Sequence, residues 1–197
     1  ARRYDRSHFH YDPSSAVRQQ AVTELVGSVA VAAADGRAPA PEPAKTKSGL
    51  ELIRAHDNAG PLWVLREPAG QRDGAGLFVF RTGSRSSLCL QAPHTFFDEG
   101  TGEIALALFE KLQARCLFVN TVHRYAPASK GTTNTVEHPA DVAHAPDTLF
   151  EAATRGLLAA EKKLVIIQVH GFGKRPDLPA GAKAVISDGT ATPHPLG

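Results

Sequence analysis

The sequence contains no methionine, one tryptophan and two cysteines. Because even the initiator methionine is missing, we expect a processed or trimmed chain, from which a signal peptide would have been removed without trace. No apolar run approaches the roughly 18 residues of a membrane span, so no membrane-embedded segment is expected. The chain has no Gly-x-Ser-x-Gly motif, which argues against a serine esterase.

The two cysteines lack the close Cys/His spacing of a structural zinc site. Cys89 and Cys116 each lie near the start of a predicted strand. A disulfide between them would indicate a periplasmic or secreted protein. Two buried thiols, which behave as small hydrophobic residues, would leave a cytoplasmic location open. The sequence does not decide between these interpretations.

The composition is that of an ordinary globular domain. The chain has 197 residues, 42% of them hydrophobic, and a net charge of +2. Lysine and arginine are scattered along the chain rather than clustered, so no nucleic-acid partner is expected. This length predicts one domain, with an N-terminal helix and a proline-rich connection over residues 1–49 and an α/β core over residues 50–197.

Apolar periodicity and turn residues predict the secondary structure. Asp12-Pro13 favours the start of a helix that should end at about Gly27. Further helices are predicted over residues 102–114 and from a cap at Asp147 to Ala160. The predicted strands are 50–53, 62–66, 77–81, 88–92, 116–123, 164–170 and 183–187.

The order of these elements predicts the fold class. The strands 62–66 and 77–81 are separated by turn residues and should form a hairpin. From residue 88 onwards strands alternate with helices, which is typical of a parallel sheet covered on both faces. We therefore expect a single α/β domain with a mixed, mainly parallel sheet, its antiparallel hairpin at one edge and helices on both faces.

Three histidines lie at or just after the ends of predicted strands: His94, His123 and His170. Ligands of open α/β sheets bind at the carboxyl ends of the strands, so this placement predicts a polar or metal site there. A loop over residues 124–145 follows the second of these strands. It is longer than usual for such units, which favours a functional role.

The local pattern around His94 is suited to zinc. His94 with Asp98 or Glu99 supplies a short-spaced pair, and His170 supplies a distant third ligand. Zinc prefers histidine nitrogen and carboxylate oxygen, and a catalytic zinc keeps one position open for water. Asp98 has a competing interpretation, because it could simply cap the helix that follows.

The segment His123-Arg124-Tyr125 is typical of an anion-binding element. The planar fork of Arg124 fits a carboxylate or a developing oxyanion. His144 could fold back over the site from the long loop. The alternatives are a strand-end salt bridge for Arg124 and a solvated loop position for His144.

The stretch His94-Thr-Phe-Phe-Asp-Glu-Gly-Thr-Gly-Glu-Ile-Ala105, with Val169-His-Gly171 downstream, resembles a zinc-dependent family. It is similar to the amidohydrolases around poly-γ-glutamate hydrolase and N-formylglutamate amidohydrolase, distant relatives of the zinc carboxypeptidases. The resemblance covers residues 88–189. It implies a carboxypeptidase-like fold, a bound Zn²⁺ and two histidine ligands, which here are His94 and His170.

The same resemblance leaves the carboxylate roles open. Counted back from Thr101 the metal ligand is Asp98, and counted forward from His94 it is Glu99. His123-Arg124 matches the His-Arg segment of the formylglutamate enzymes, which implies substrate binding. The general base of the carboxypeptidases is a late glutamate, and no glutamate follows Glu161 here. Asp188 could replace it, or Glu99 if Asp98 binds the metal.

Together these patterns predict a zinc-dependent hydrolase that cleaves an amide bond near a carboxylate, in an acyl amino acid, a γ-glutamyl link or a peptide. The expected partner is a small-molecule or peptide substrate that carries a carboxylate. The missing late glutamate favours a second hypothesis, a non-catalytic metal- or ligand-binding protein on the same scaffold. Neither hypothesis predicts an oligomeric state.

Overall fold

The computed structural model describes Tyr11 and residues 14–40, 47–71, 73–127 and 138–172. The predicted strand 183–187 and the predicted helix start at Asp12-Pro13 lie outside these residues. In chain order the elements are α1 (Ala16–Ala34), β1 (Glu51–Asp57), β2 (Gly60–Arg66), β3 (Leu77–Arg81), β4 (Leu88–Ala92), α2 (Thr101–Lys111), β5 (Cys116–Val119), α3 (Leu149–Ala160) and β6 (Val165–Gln168).

The six described strands form one mixed sheet in the order β1-β2-β3-β5-β4-β6. The predicted α/β class and the predicted hairpin, which is the antiparallel pair β2–β3, are therefore confirmed. β4 pairs in parallel with both β5 and β6, whereas the other three pairings are antiparallel. The sheet is thus less parallel than expected, because the meander β1–β2–β3 supplies half of its described strands and joins β5 in antiparallel fashion.

Helix α1 differs from the prediction at both ends. Its N-cap is Ser15, whose hydroxyl accepts a hydrogen bond from the Arg18 amide at 3.2 Å. It continues past Gly27 to Ala34, because Gly27 packs against α3 instead of ending the helix. A Cβ on Gly27 would lie 3.2 Å from the carbonyl oxygen of Gly156, so glycine permits a close helix contact. No described helix combines the length and the apolar character of a membrane span.

The other two helices also differ slightly from the prediction. α2 ends at Lys111 because Gln113 has a φ of +47°, which breaks the helical path. α3 is capped by Thr148, whose hydroxyl accepts from the amide of Glu151 at 3.1 Å, and not by Asp147.

The helices cover the sheet on both faces. On one face, α1 and α3 pack against buried side chains that include Phe78, Phe118 and Leu65. On the other face, α2 packs through Phe109 against side chains that include Leu90. Because the connection after β4 runs through α2 and the connection after β5 runs through α3, the chain leaves these two adjacent strands towards opposite faces.

The two cysteines are buried in the core between the sheet and helices α1 and α3. They lie directly opposite each other on β4 and β5, and both are free thiols. Burial and the neighbouring Cys116 thiol raise the pKa of Cys89 well above its ordinary value. Both side chains therefore act here as small hydrophobic residues.

Two strands end earlier than predicted. β5 ends at Val119, because the Asn120 side chain turns the chain by donating hydrogen bonds to the carbonyls of Pro93 and Val122 at 2.8 and 2.9 Å. β6 ends at Gln168. His123 and His170 therefore lie in the loops that follow these strands.

Candidate metal centre

The candidate site lies at the carboxyl edge of the parallel strands. Adjacent strands whose connections run to opposite faces leave a crevice between their ends, which is where open α/β sheets bind ligands. β4 and β5 are such a pair. His94 follows β4, His123 and Arg124 follow β5, and His170 follows β6.

Three predicted ligands lie close together at this edge of the sheet: His94, Asp98 and His170. The two histidine Nδ1 atoms lie 3.2 Å apart. The Oδ2 atom of Asp98 lies 3.4 Å from Nδ1 of His94 and 3.7 Å from Nδ1 of His170. Three ligand atoms of a tetrahedral zinc with bonds of about 2.0–2.1 Å are separated by about 3.3–3.4 Å. The donor set and its spacing therefore fit zinc.

Both histidine rings are held from their far side. Nε2 of His94 lies 2.8 Å from Oδ1 of Asp141, and Nε2 of His170 lies 3.3 Å from Oε1 of Gln168. A proton on each Nε2 satisfies these oxygen acceptors and leaves each Nδ1 with a free lone pair. Such outer hydrogen bonds fix the tautomer and orientation of metal-binding histidines.

The side chain of the candidate carboxylate ligand, Asp98, is also held in place. The backbone amide of Gly171 donates a hydrogen bond to Oδ2 of Asp98 at 2.9 Å. A Cβ on residue 171 would lie 3.0 Å from the Cβ of Asp98. Glycine therefore lets the chain after β6 pass close to the loop after β4.

The pKa of His170 is lowered from its ordinary value. Burial is the largest cause and the nearby His94 the next, while the charge of Asp98 acts in the opposite direction. Both main causes favour the neutral imidazole, which is the form that binds a metal.

The structure separates the two candidate carboxylates. Asp98 faces the histidines, whereas Glu99 is exposed and lines a groove beside α2. The capping interpretation of Asp98 is wrong, because the N-cap of α2 is Gly100 and no side chain caps the helix. The Thr101 hydroxyl donates instead to the backbone carbonyl of Asp98 at 2.7 Å.

Asp141 is the residue of this site that the sequence analysis missed. Its Oδ1 atom lies 2.8 Å from Nε2 of His94 and 3.1 Å from Nδ1 of His144, and its Oδ2 atom forms an ion pair with Arg124. The one available signal was its spacing in Asp141-Val-Ala-His144, which is typical of a short-range carboxylate–histidine pair.

Asp141, His94 and His144 form a second group that could hold a metal. The 2.8 Å separation of Asp141 and His94 is the length of a hydrogen bond, and Arg124 already brings a positive charge to Asp141. Burial raises the pKa of Asp141, but hydrogen bonds with His144 and His94 and the nearby charges lower it more, so that it lies below its ordinary value. Asp141 is thus a charged acceptor shared by three donors.

Of the predicted substrate-binding residues, Arg124 and His144 contact this acceptor. The Arg124 guanidinium lies over the rings of Phe97 and Tyr125, at 5.1 and 5.2 Å from their centroids. The His144 side chain is 71% exposed at the rim. His123 is buried, and its Nδ1 accepts from the amide of Tyr125 at 3.1 Å, so it has a local structural contact.

Asp188, the other candidate for the general base, lies outside the described residues. No protein-family model, curated protein or solved structure matches this chain. The resemblance to the zinc-dependent amidohydrolases therefore stays a prediction.

Proposed function

We propose that this protein is a zinc-dependent hydrolase that cleaves an amide bond near a carboxylate, with the metal bound by His94, Asp98 and His170. The observation that carries the proposal is the spacing of the three ligand atoms, 3.2–3.7 Å, together with a hydrogen-bond partner for each ligand residue. The His170 side chain is 38% exposed, so the cluster is open to solvent.

Zinc with three protein ligands supplies a Lewis acid that polarises a carbonyl and activates water. The other residues of the site orient the proposed ligands. Asp141 holds the His94 ring so that its Nδ1 atom faces the cluster, and Arg124 holds Asp141. Gly171 holds the Asp98 carboxylate through its amide.

Arg124 is the proposed binding residue for the substrate carboxylate. Asp141 engages one of its terminal nitrogens, and Phe97 and Tyr125 restrict the plane of its guanidinium. Arginine carries five N–H donors in a fixed fork, so donors remain for a second carboxylate. The substrates that fit are acyl amino acids, γ-glutamyl compounds and peptides.

A second candidate function is metal binding without catalysis. Within the described residues, the carboxylates that contact the two histidines of the cluster are Asp98 and Asp141, and both are already engaged. Glu99 lines a separate groove. A protein without a free carboxylate to accept a proton would bind the metal but turn over slowly.

Metal analysis combined with an assay separates the two candidates. We expect about one zinc per chain in the wild type and none in His170→Ala. Hydrolysis of N-acyl amino acids, lost in His170→Ala, would support the hydrolase. Stoichiometric zinc without hydrolysis of acyl amino acids, γ-glutamyl compounds or peptides would support the binding protein. Zinc content that is the same in both proteins would contradict the site itself.

A further inference from the structure

A groove of about 420 Å³ lies between α2 and the strands β3 and β5. Its loop side is formed by Thr95 and Phe96, which directly follow His94 in the chain. It therefore adjoins the candidate metal centre without sharing a ligand with it. The apolar side chains that line it are Leu77, Phe96, Leu106, Leu117 and Val119.

Two carboxylates, those of Glu99 and Glu103, also line the groove. Both residues are exposed, and neither side-chain carboxylate forms a hydrogen bond or an ion pair within the described part of the chain. Their position near the N-terminus of α2 is favourable for negative charge. The groove thus combines an apolar lining with two negative charges.

We propose that this groove binds the lysine side chain of a peptide ligand. Lysine buries its aliphatic stem along apolar surface while its ammonium stays at the polar rim. That ammonium has three donors, so it can serve two separate carboxylates, whereas the planar fork of arginine best fits one. The inference that the substrate carries a lysine rests on the proposed hydrolase. The binding of lysine in the groove needs neither metal nor turnover.

The test is an NMR titration of the whole chain with the peptide acetyl-Ala-Lys-Ala-amide. The matched probe replaces lysine by norleucine, which keeps the stem and removes the charge. We expect saturable shifts at the groove and binding of the lysine peptide about 2- to 10-fold tighter than that of the norleucine peptide. The double variant Glu99→Gln/Glu103→Gln should lose this preference. Equal affinities of the two peptides for the wild type would overturn the proposal.

A pair of variants on α2 controls for position. Leu106 and Ile104 are similarly exposed, at 48% and 52%, but only Leu106 lines the groove. Leu106→Lys should abolish binding of the lysine peptide, while Ile104→Lys should leave it intact. Equal effects of these two substitutions would contradict the location. The titration is repeated with a chelator. Lysine binding that persists there shows that the groove acts without the metal. If the untreated protein also hydrolyses nothing, the proposed hydrolase is removed but the groove is not.

Discussion

The imidazole of His94 bridges two carboxylates, with Asp98 3.4 Å from its Nδ1 atom and Asp141 2.8 Å from its Nε2 atom. The hydrogen bond to Asp141 sets the tautomer that the Nδ1 atom needs for metal binding. Asp98 is thus the proposed metal ligand, whereas Asp141 orients the His94 ring. Substitutions can remove the two carboxylates one at a time.

The first prediction concerns Asp141. Asp141→Asn keeps the size of the side chain but removes the charge that orients His94, so zinc affinity should fall about 10- to 100-fold. Competition with a chromophoric chelator measures this. The control is Asp147→Asn, an exposed position later in the same loop, which should leave the affinity unchanged. An Asp141→Asn protein with wild-type affinity would show that this contact has no effect on the metal.

The second prediction separates neighbouring carboxylates. Asp98→Ala should lose stoichiometric zinc, because it removes one of three ligands. Glu99→Gln should retain zinc, because Glu99 lines the groove beside α2. Elemental analysis of both purified variants checks the pair. Zinc loss in Glu99→Gln with retention in Asp98→Ala would shift the ligand by one residue.

The third prediction concerns Arg124. Arg124→Lys retains the charge but loses the planar fork that pairs with Asp141 and lies over Phe97 and Tyr125. Losing one charge-assisted hydrogen bond costs about 1.5–3 kcal/mol, so kcat/KM should fall about 10- to 150-fold for an acyl amino acid. The carboxamide analogue should be a poor substrate of both proteins. If the wild type hydrolyses both compounds equally, Arg124 does not recognise a substrate carboxylate.

The fourth prediction concerns the pH dependence of the free energy of unfolding, which we attribute to an ion pair far from the candidate metal centre. Asp57 and Arg81 form two hydrogen bonds of 2.8 Å each, and the Arg81 guanidinium lowers the pKa of Asp57 below its ordinary value. Because this pKa is depressed in the folded state, the pair stabilises the fold fully above the unfolded pKa of about 3.9 and loses this effect as the pH falls through the folded value.

Asp57→Asn should therefore lower the free energy of unfolding by about 1.5–3 kcal/mol at pH 7. The difference between variant and wild type should shrink as the pH falls below about 4. Urea denaturation of both proteins at pH 7 and below pH 4 measures this difference. The more exposed pair Arg66–Glu51 offers a control, since Glu51→Gln should change stability by less than about 1 kcal/mol. If the difference in unfolding free energy between variant and wild type grew on acidification, the predicted direction of this effect would be wrong.

The sequence predicted the three proposed ligands because their positions depend on local signals. Apolar runs mark β4 and β6, and parallel neighbours bring their carboxyl ends to one edge. Asp141 could not be found in this way. It comes from a loop that has no periodicity, and its place beside His94 depends on the path of the loop.

The ends of helices and strands were harder to predict for a related reason. Gly27 has the local signature of a helix end, yet tertiary contact with Gly156 keeps it inside α1. Asn120 ends β5 through hydrogen bonds to Pro93, which is distant in sequence. Contacts of this kind override local propensity.

The close contact between α1 and α3 also constrains how the chain folds. Thr23 donates its hydroxyl hydrogen to the carbonyl of Ala152, 129 positions later, and a Cβ on Gly156 would lie 2.2 Å from the carbonyl oxygen of Thr23. During synthesis α1 emerges before α3, so the part of its buried face that packs against α3 stays uncovered until α3 has left the ribosome. Since so distant a contact closes late, the side of α1 that packs against α3 is a surface that a chaperone would meet on the nascent chain.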